Sequence, residues 1–137
     1  MKVIVCVDDR GGMMFNKRRL SRDKEVIKDI LSGLGGEKLC MNKYSASLFA
    51  EAGELILVEE DFLGLADENE VCFVEDKLLV PYLDKIDTLT VYKWNRCYPA
   101  DFYLDLELDK WNKTDVSEFG GNSHEKITKE IYTDSVK

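Results

Sequence analysis

The sequence predicts a three-layer α/β domain: a mixed sheet of about seven strands, helices on both faces, and a C-terminal antiparallel hairpin. Three observations predict it. "VIVCV" (3–7) is a continuous β-branched apolar run, the pattern of a strand buried on both faces. Strand-like and helix-like segments then alternate as far as residue 94, the order that makes parallel strands with covering helices. Near the end, two strand-like runs flank "GGNS" (120–123), a hairpin signal. A chain of 137 residues makes one domain, 1–137, large enough to bury a core without staples.

In chain order, "DDRGGMMFNKRR" (8–19) reads as a loop after the first strand. Ser21 is the expected N-cap of the first helix, with Asp23 and Glu25 in its first turn, where acids suit the helix dipole. Val26, Ile27, Ile30, Leu31 and Leu34 share one helical face, and Gly33, Gly35 and Gly36 stop the helix. "KLCM" (38–41) reads as a strand, "KYSASLFAEA" (43–52) as a short helix and "ELILV" (54–58) as a strand. After an acidic connector come the strand "VCFV" (71–74), a short helix in "KLLVPYLDKI" (77–86) interrupted near Pro81, and the strand "TLTVYKW" (88–94). The closing hairpin pairs "WNKTDVSEF" (111–119) with "EKITKEIY" (125–132).

Charge and cysteine usage narrow the function classes. The net charge is −8, but residues 1–53 carry ten Lys/Arg and seven Asp/Glu, whereas residues 54–137 carry nine and twenty. From Glu54 to Asp76 there are nine acids and no Lys or Arg. That surface repels phosphates, which argues against nucleic acid and suits a basic protein partner or plain solvation. No apolar run approaches the ~18 residues of a membrane span, so no membrane partner is expected. Met1-Lys2 leads straight into a strand with no signal-peptide pattern, and a cytoplasmic location is expected. Cys6, Cys40, Cys72 and Cys97 lie far apart with no C-x-x-C; three sit in apolar runs and read as buried free thiols. His124 is the only histidine. It cannot build the H-x-H-x-D-H zinc motif that a nuclease of the ribonuclease Z kind requires, and no metal site is expected. A serine triad around Ser123 and His124 lacks a nucleophile elbow.

With the elements in that order, the chain resembles the dihydrofolate reductase family from end to end. "VIVCVDDRGGM" resembles the family's opening strand and the start of its mobile loop. "LSRDKEVIKDIL" resembles the helix bearing the family's active-site acid, and the matching position is Asp23. "CMNKYSASLF" resembles the M-G-R-x-T segment, with Asn42, Lys43 and Ser45 at the Gly, Arg and Thr places; "ADFYLD" (100–105) resembles G-D-T-x-F-P. "WNKTDVSEFGGNSHEKITKEIY" resembles the closing hairpin. The resemblance implies a ligand cleft between sheet and first helix contacted by Val5, Cys6, Phe15, Asp23, Ile27 and Tyr92.

The departures oppose the family's chemistry. Where the family has two consecutive glycines beside the cofactor pyrophosphate, this chain has Glu75 and Asp76; where the family holds the NADPH phosphate, it has Glu59 and Glu60. Carboxylates beside phosphates cost several kcal/mol in a partly dry site. Residues 59–70 are too few for the edge strand and helix the family has there, and the Pro-Trp before the catalytic helix is missing, with Arg18-Arg19 nearby. No cofactor is expected, and a trans peptide is expected between Glu75 and Asp76.

The expected function is therefore a non-catalytic or diverged binding protein, taking a small ligand in the old cleft or a basic partner protein, as an immunity protein does. The alternative is a small oxidoreductase with another cofactor and Asp23 as proton relay. Asp23 reads either as a buried ligand anchor whose pKa desolvation raises, near Tyr92 and replaceable by Asn at little cost to the fold, or as a plain first-turn acid. Lys17, Arg18, Arg19 and Arg22 form a basic cluster open to an anion or to solvent. Gly11-Gly12 is a weak phosphate-cradle signal, and Met13, Met14 and Phe15 form either an apolar lid or core.

Overall fold

The computed structural model describes residues 1–134. Its ten strands are β1 (Lys2–Val7), β2 (Gly12–Phe15), β3 (Arg18–Arg19), β4 (Leu39–Met41), β5 (Ile56–Val58), β6 (Val71–Phe73), β7 (Thr88–Lys93), β8 (Phe102–Tyr103), β9 (Asn112–Phe119) and β10 (Ile127–Thr133). The α-helices are α1 (Lys24–Ser32), α2 (Lys43–Ala46) and α3 (Phe62–Leu65). Seven strands form one sheet in the order β5-β4-β6-β1-β7-β10-β9. The first five are parallel, and β10 runs antiparallel to both β7 and β9. The expected sheet is present, with β1 interior and the hairpin at one edge.

Alternation along β1 explains why its run is apolar throughout. Val3, Val5 and Val7 join a core with Phe62, Leu63, Leu79, Ile86, Leu89 and Val91. Ile4 joins a second core on the opposite face with Val26, Ile30, Phe49, Phe73, Tyr92 and Trp94, and Cys6 packs against it. Both faces of β1 are thus dry, as a strand flanked by parallel neighbours requires.

Four elements differ from the sequence reading, each for a local reason. The segment 8–19 is not all loop: β2 and β3 form a hairpin whose two turn residues, Asn16 and Lys17, both have positive φ (51° and 62°), the backbone of a tight primed turn. With β8 the hairpin makes a separate three-stranded sheet, held by burial of Met13 and Met14. The N-cap of α1 is Asp23, not Ser21: its backbone is extended and its carboxylate accepts the Glu25 N–H. Residues 43–52 do not form one helix. α2 gives way to 3₁₀ turns over 47–55, with Phe49 and Ala52 outside helical geometry, and Phe49 packs edge-on against Phe73 at 5.0 Å. Residues 80–85 are likewise a 3₁₀ turn entered at Pro81, its first N–H groups held by the Asp105 carboxylate.

All four cysteines are free thiols; Cys40 and Cys72 are buried, whereas Cys6 is only half-buried. Cys40 and Cys72 face each other across β4 and β6, and burial pushes their thiols up to about 12 and about 11. No helix is long and apolar enough to cross a membrane among the described residues.

Candidate functional site

A cleft lies between α1, the β2–β3 hairpin and the ends of β1, β6 and β7. Asp23, Ser21 and Arg22 line one end and Glu75 with Arg19 the other, with Val26, Ile27, Phe49, Phe73 and Trp94 as apolar walls. The cavity is small, about 20 Å³, room for a water or two.

Asp23 is 3% exposed, yet it is not free to receive a ligand. Its Oδ1 accepts the N–H groups of Glu25 (2.9 Å) and Asn122 (2.7 Å). Its Oδ2 accepts the Ser123 N–H (2.8 Å) and lies 2.9 Å from His124 Nδ1. One carboxylate therefore caps α1 and closes the turn between β9 and β10, joining positions a hundred residues apart. Burial acts to raise its pKa. The Asn122 N–H, the His124 ring and the N–H groups of Ser123 and Glu25 outweigh burial and hold it far below the usual carboxylate range. This corrects the expected direction. It also leaves no free oxygen for an amidine ligand or a proton relay.

His124 is buried with it. The ring stacks on Trp94 at 4.6 Å, and its Nε2 meets Ser21 Oγ and the Tyr98 hydroxyl, each at 3.1 Å. Since the Asp23 carboxylate can only accept, Nδ1 carries a proton; with the ring neutral, Nε2 has one lone pair for two hydroxyls, those of Ser21 and Tyr98. Gly121 permits this closure. A Cβ there would stand 2.5 Å from Asp23 Oδ2 and 2.7 Å from the His124 carbonyl oxygen. Gly121→Ala is accordingly expected to lower stability by about 1–3 kcal/mol, read as an earlier urea midpoint. An unchanged midpoint would show that the turn has room the geometry denies.

At the other end of the cleft, the β2–β3 hairpin aims Arg19 at Glu75. Arg19 Nε donates to Oε2 at 2.8 Å and its Nη2 to Oε1 at 3.0 Å, a forked pair. Ser45 Oγ donates to the same Oε1 at 2.8 Å, and the guanidinium lies 4.6 Å from the Tyr44 ring centroid. Beside it, Asn42 Nδ2 donates to Asp76 at 2.9 Å, and Glu60 accepts the Lys43 N–H at 2.8 Å, at the first residue of α2. The chain's own carboxylates thus occupy this whole corner.

No protein-family model and no curated protein matches the sequence. Among solved structures, the molecule is similar to a dihydrofolate reductase from Enterococcus faecalis complexed with NADP(H) and RAB-propyl. The TM-score is 0.66 over 98% of this chain and 95% of that one, at 15% identity. The fold is that of dihydrofolate reductase. On this fold, residues 59–70 hold only the four-residue α3 and no strand, which leaves β5 as the sheet edge. The Glu75–Asp76 peptide is trans.

Of the residues expected around the dihydrofolate-reductase-like cleft, Cys6, Asp23 and Ile27 line it. Val5 does not, because alternation turns it to the opposite core. Phe15 is half exposed at the end of β2. Tyr92 is not beside Asp23; its hydroxyl donates to Asp29 Oδ2 at 2.6 Å, farther along α1. The expected acids Glu59, Glu60, Glu75 and Asp76 are there, but as acceptors of internal hydrogen bonds. Asp8 is another buried carboxylate. Burial acts to raise its pKa, but the N–H groups of Tyr98, Gly12 and Arg10 bring it below its usual value and tie the first loop to Tyr98.

Proposed function

We propose that this dihydrofolate-reductase-like domain is a binding protein that works without NADPH, and that its ligand is a basic protein docked at the β5 edge. The observation that carries the reading is the state of that edge. β5 has a strand neighbour on one side only, and Leu55, Leu57 and Val58 are 42%, 47% and 49% exposed. Leu57 and Val58 point to opposite faces of the sheet, so both faces and the outer edge are open. An uncovered apolar edge is a template for an added strand.

Charge selects the partner. Glu54, Glu59, Glu60 and Asp61 bracket the strand, and all four are exposed. None is in an ion pair among the described residues, in a stretch that contains no Lys or Arg. A second copy would bring acid against acid, whereas a basic strand would be steered in and held. The alternative occupant, a small ligand anchored by Asp23, loses its anchor to the hairpin turn.

Affinity capture with the wild type and with Leu57→Arg/Val58→Arg tests the reading. The expected result is a captured protein of high isoelectric point whose binding weakens with salt. Its affinity should fall at least about tenfold in the variant, or about 1.4 kcal/mol. An acidic partner, or equal capture by a variant with unchanged circular dichroism, would overturn it.

A further inference from the structure

We propose that Ser21 is a nucleophile, with His124 as its base and Asp23 as the orienting acid, and that it takes a small acyl group from an ester. Three side chains stand in a line that acyl transfer requires: Asp23 Oδ2 to His124 Nδ1 at 2.9 Å, and His124 Nε2 to Ser21 Oγ at 3.1 Å. Such a triad is recognised by geometry and role, whatever its order along the chain. Ser123, next to the histidine in sequence, meets Nδ1 and cannot use the free nitrogen.

The surroundings favour a working base over a passive contact. Asp23 receives three backbone N–H groups and remains a carboxylate, so it holds Nδ1–H in place and leaves Nε2 facing the hydroxyls of Ser21 and Tyr98, each at 3.1 Å. The Trp94 stack and the Tyr98 hydroxyl fix the ring. Ser21 itself is half-buried and lines the cavity with Val26, Ile27 and Trp94; at about 20 Å³ that cavity admits water and no acyl group, so the ester approaches from the solvent-exposed side of Ser21. Arg22 lines the same cavity, and the nine-residue α1 begins three residues after Ser21. Arg22 supplies positive potential for the ester's carbonyl oxygen as it gains charge, since the N-terminal end of α1 is already taken by the Asp23 carboxylate.

The step balances with water as the only co-reactant. Ser21 Oγ bonds to the acyl carbon as its proton passes to His124 Nε2. The ester C–O bond then breaks and the departing alkoxide takes that proton. Water adds to the acyl-serine, giving its proton to Nε2, and the Ser21 Oγ–carbon bond breaks as Oγ recovers the proton. Ester and water become acid and alcohol.

p-Nitrophenyl acetate is the probe. The wild type is expected to show a burst of nitrophenol, one acetyl group on Ser21 by peptide mass mapping, and labelling by diisopropyl fluorophosphate at the same residue. Ser21→Ala abolishes both labels, and His124→Gln slows acetylation about 100-fold, the scale of a lost general base. If His124→Gln does not fold, the fluorophosphate reaction of the wild type carries the test, since it selects activated serines. A burst that persists in Ser21→Ala, acetyl found on lysine instead, or a wild-type Ser21 inert to the fluorophosphate would each overturn the proposal.

Discussion

Asp23→Ala is expected to be the most damaging single substitution in this chain, costing about 3–5 kcal/mol, the scale of a broken buried charge pair. The substitution strands the Asn122 and Ser123 N–H groups and the His124 Nδ1–H in a buried site, and removes the α1 cap. Asp23→Asn is nearly as costly, because one end of its amide is a donor facing donors; this corrects the expectation of a mild effect. Urea unfolding monitored by circular dichroism measures both. The sign of the pH dependence follows from the same contacts. Asp23 is held below its ordinary pKa, so the unfolded chain binds the proton more readily. Its stabilisation is present above about pH 4, the unfolded carboxylate value, and is lost as acid is added. Glu130 behaves alike. Burial acts to raise its pKa, but contacts with Lys113, Lys93 and Tyr132 bring it from 4.5 down to about 2. Wild-type stability should therefore fall between about pH 4.5 and 2, and Asp23→Ala should flatten that slope. An Asp23→Ala protein with the wild-type midpoint and acid profile would contradict the account.

Glu75→Ala is the second large effect. The Glu75 side chain is 9% exposed and that of Arg19 20%, so the forked pair lies between the surface and interior cases. Truncation leaves Arg19 with part of its charge out of water and the Ser45 hydroxyl without its acceptor. The expected loss is about 2–3 kcal/mol, set between the ~0–1 of exposed pairs and the ~3–5 of buried ones. Glu75→Gln keeps one acceptor oxygen for Ser45 and Arg19 Nη2 but turns its amide N–H toward Arg19 Nε, so at this partly exposed pair it should lose roughly 1–2 kcal/mol, less than the truncation. Equal stability of Glu75→Ala and wild type would mean that the pair is ornamental and the corner held by packing alone.

The fold was legible where residue pattern alone decides it. The apolar run of β1, the strands of the alternating segments to residue 94 and the glycines before Asn122 each follow from local rules, and those strands and the hairpin stand in the structure, whereas the helices read in 43–52 and 77–86 give way largely to 3₁₀ turns. The β1 period also separates Val5 from Cys6, since neighbours in a strand face opposite ways. The β2–β3 turn was not legible because Lys17, with φ at 62°, is an unusual occupant of a conformation that favours Gly and Asn. The state of Asp23 was least legible. Its cap position depends on one residue's backbone, and its other partners, Asn122, Ser123 and His124, come from the far end of the chain. The carboxylates at 75 and 76 could be read as hostile to a phosphate, but not as neutralised by Arg19 and Asn42, because those contacts form only when the hairpin and α2 fold over them.

Isothermal titration of NADPH into the protein tests the proposal that this reductase-shaped fold has filled the corner where a dinucleotide would sit and binds its partner elsewhere. Glu75 and Asp76 stand where the resemblance to dihydrofolate reductases would put the pyrophosphate, each already hydrogen-bonded within the chain, and Glu60 already holds the donor at the start of α2. No heat of binding is expected up to millimolar NADPH, an affinity on the order of −4 kcal/mol or weaker. Saturable binding at micromolar NADPH, on the order of −8 kcal/mol, would show that these carboxylates yield to the cofactor and would contradict the account.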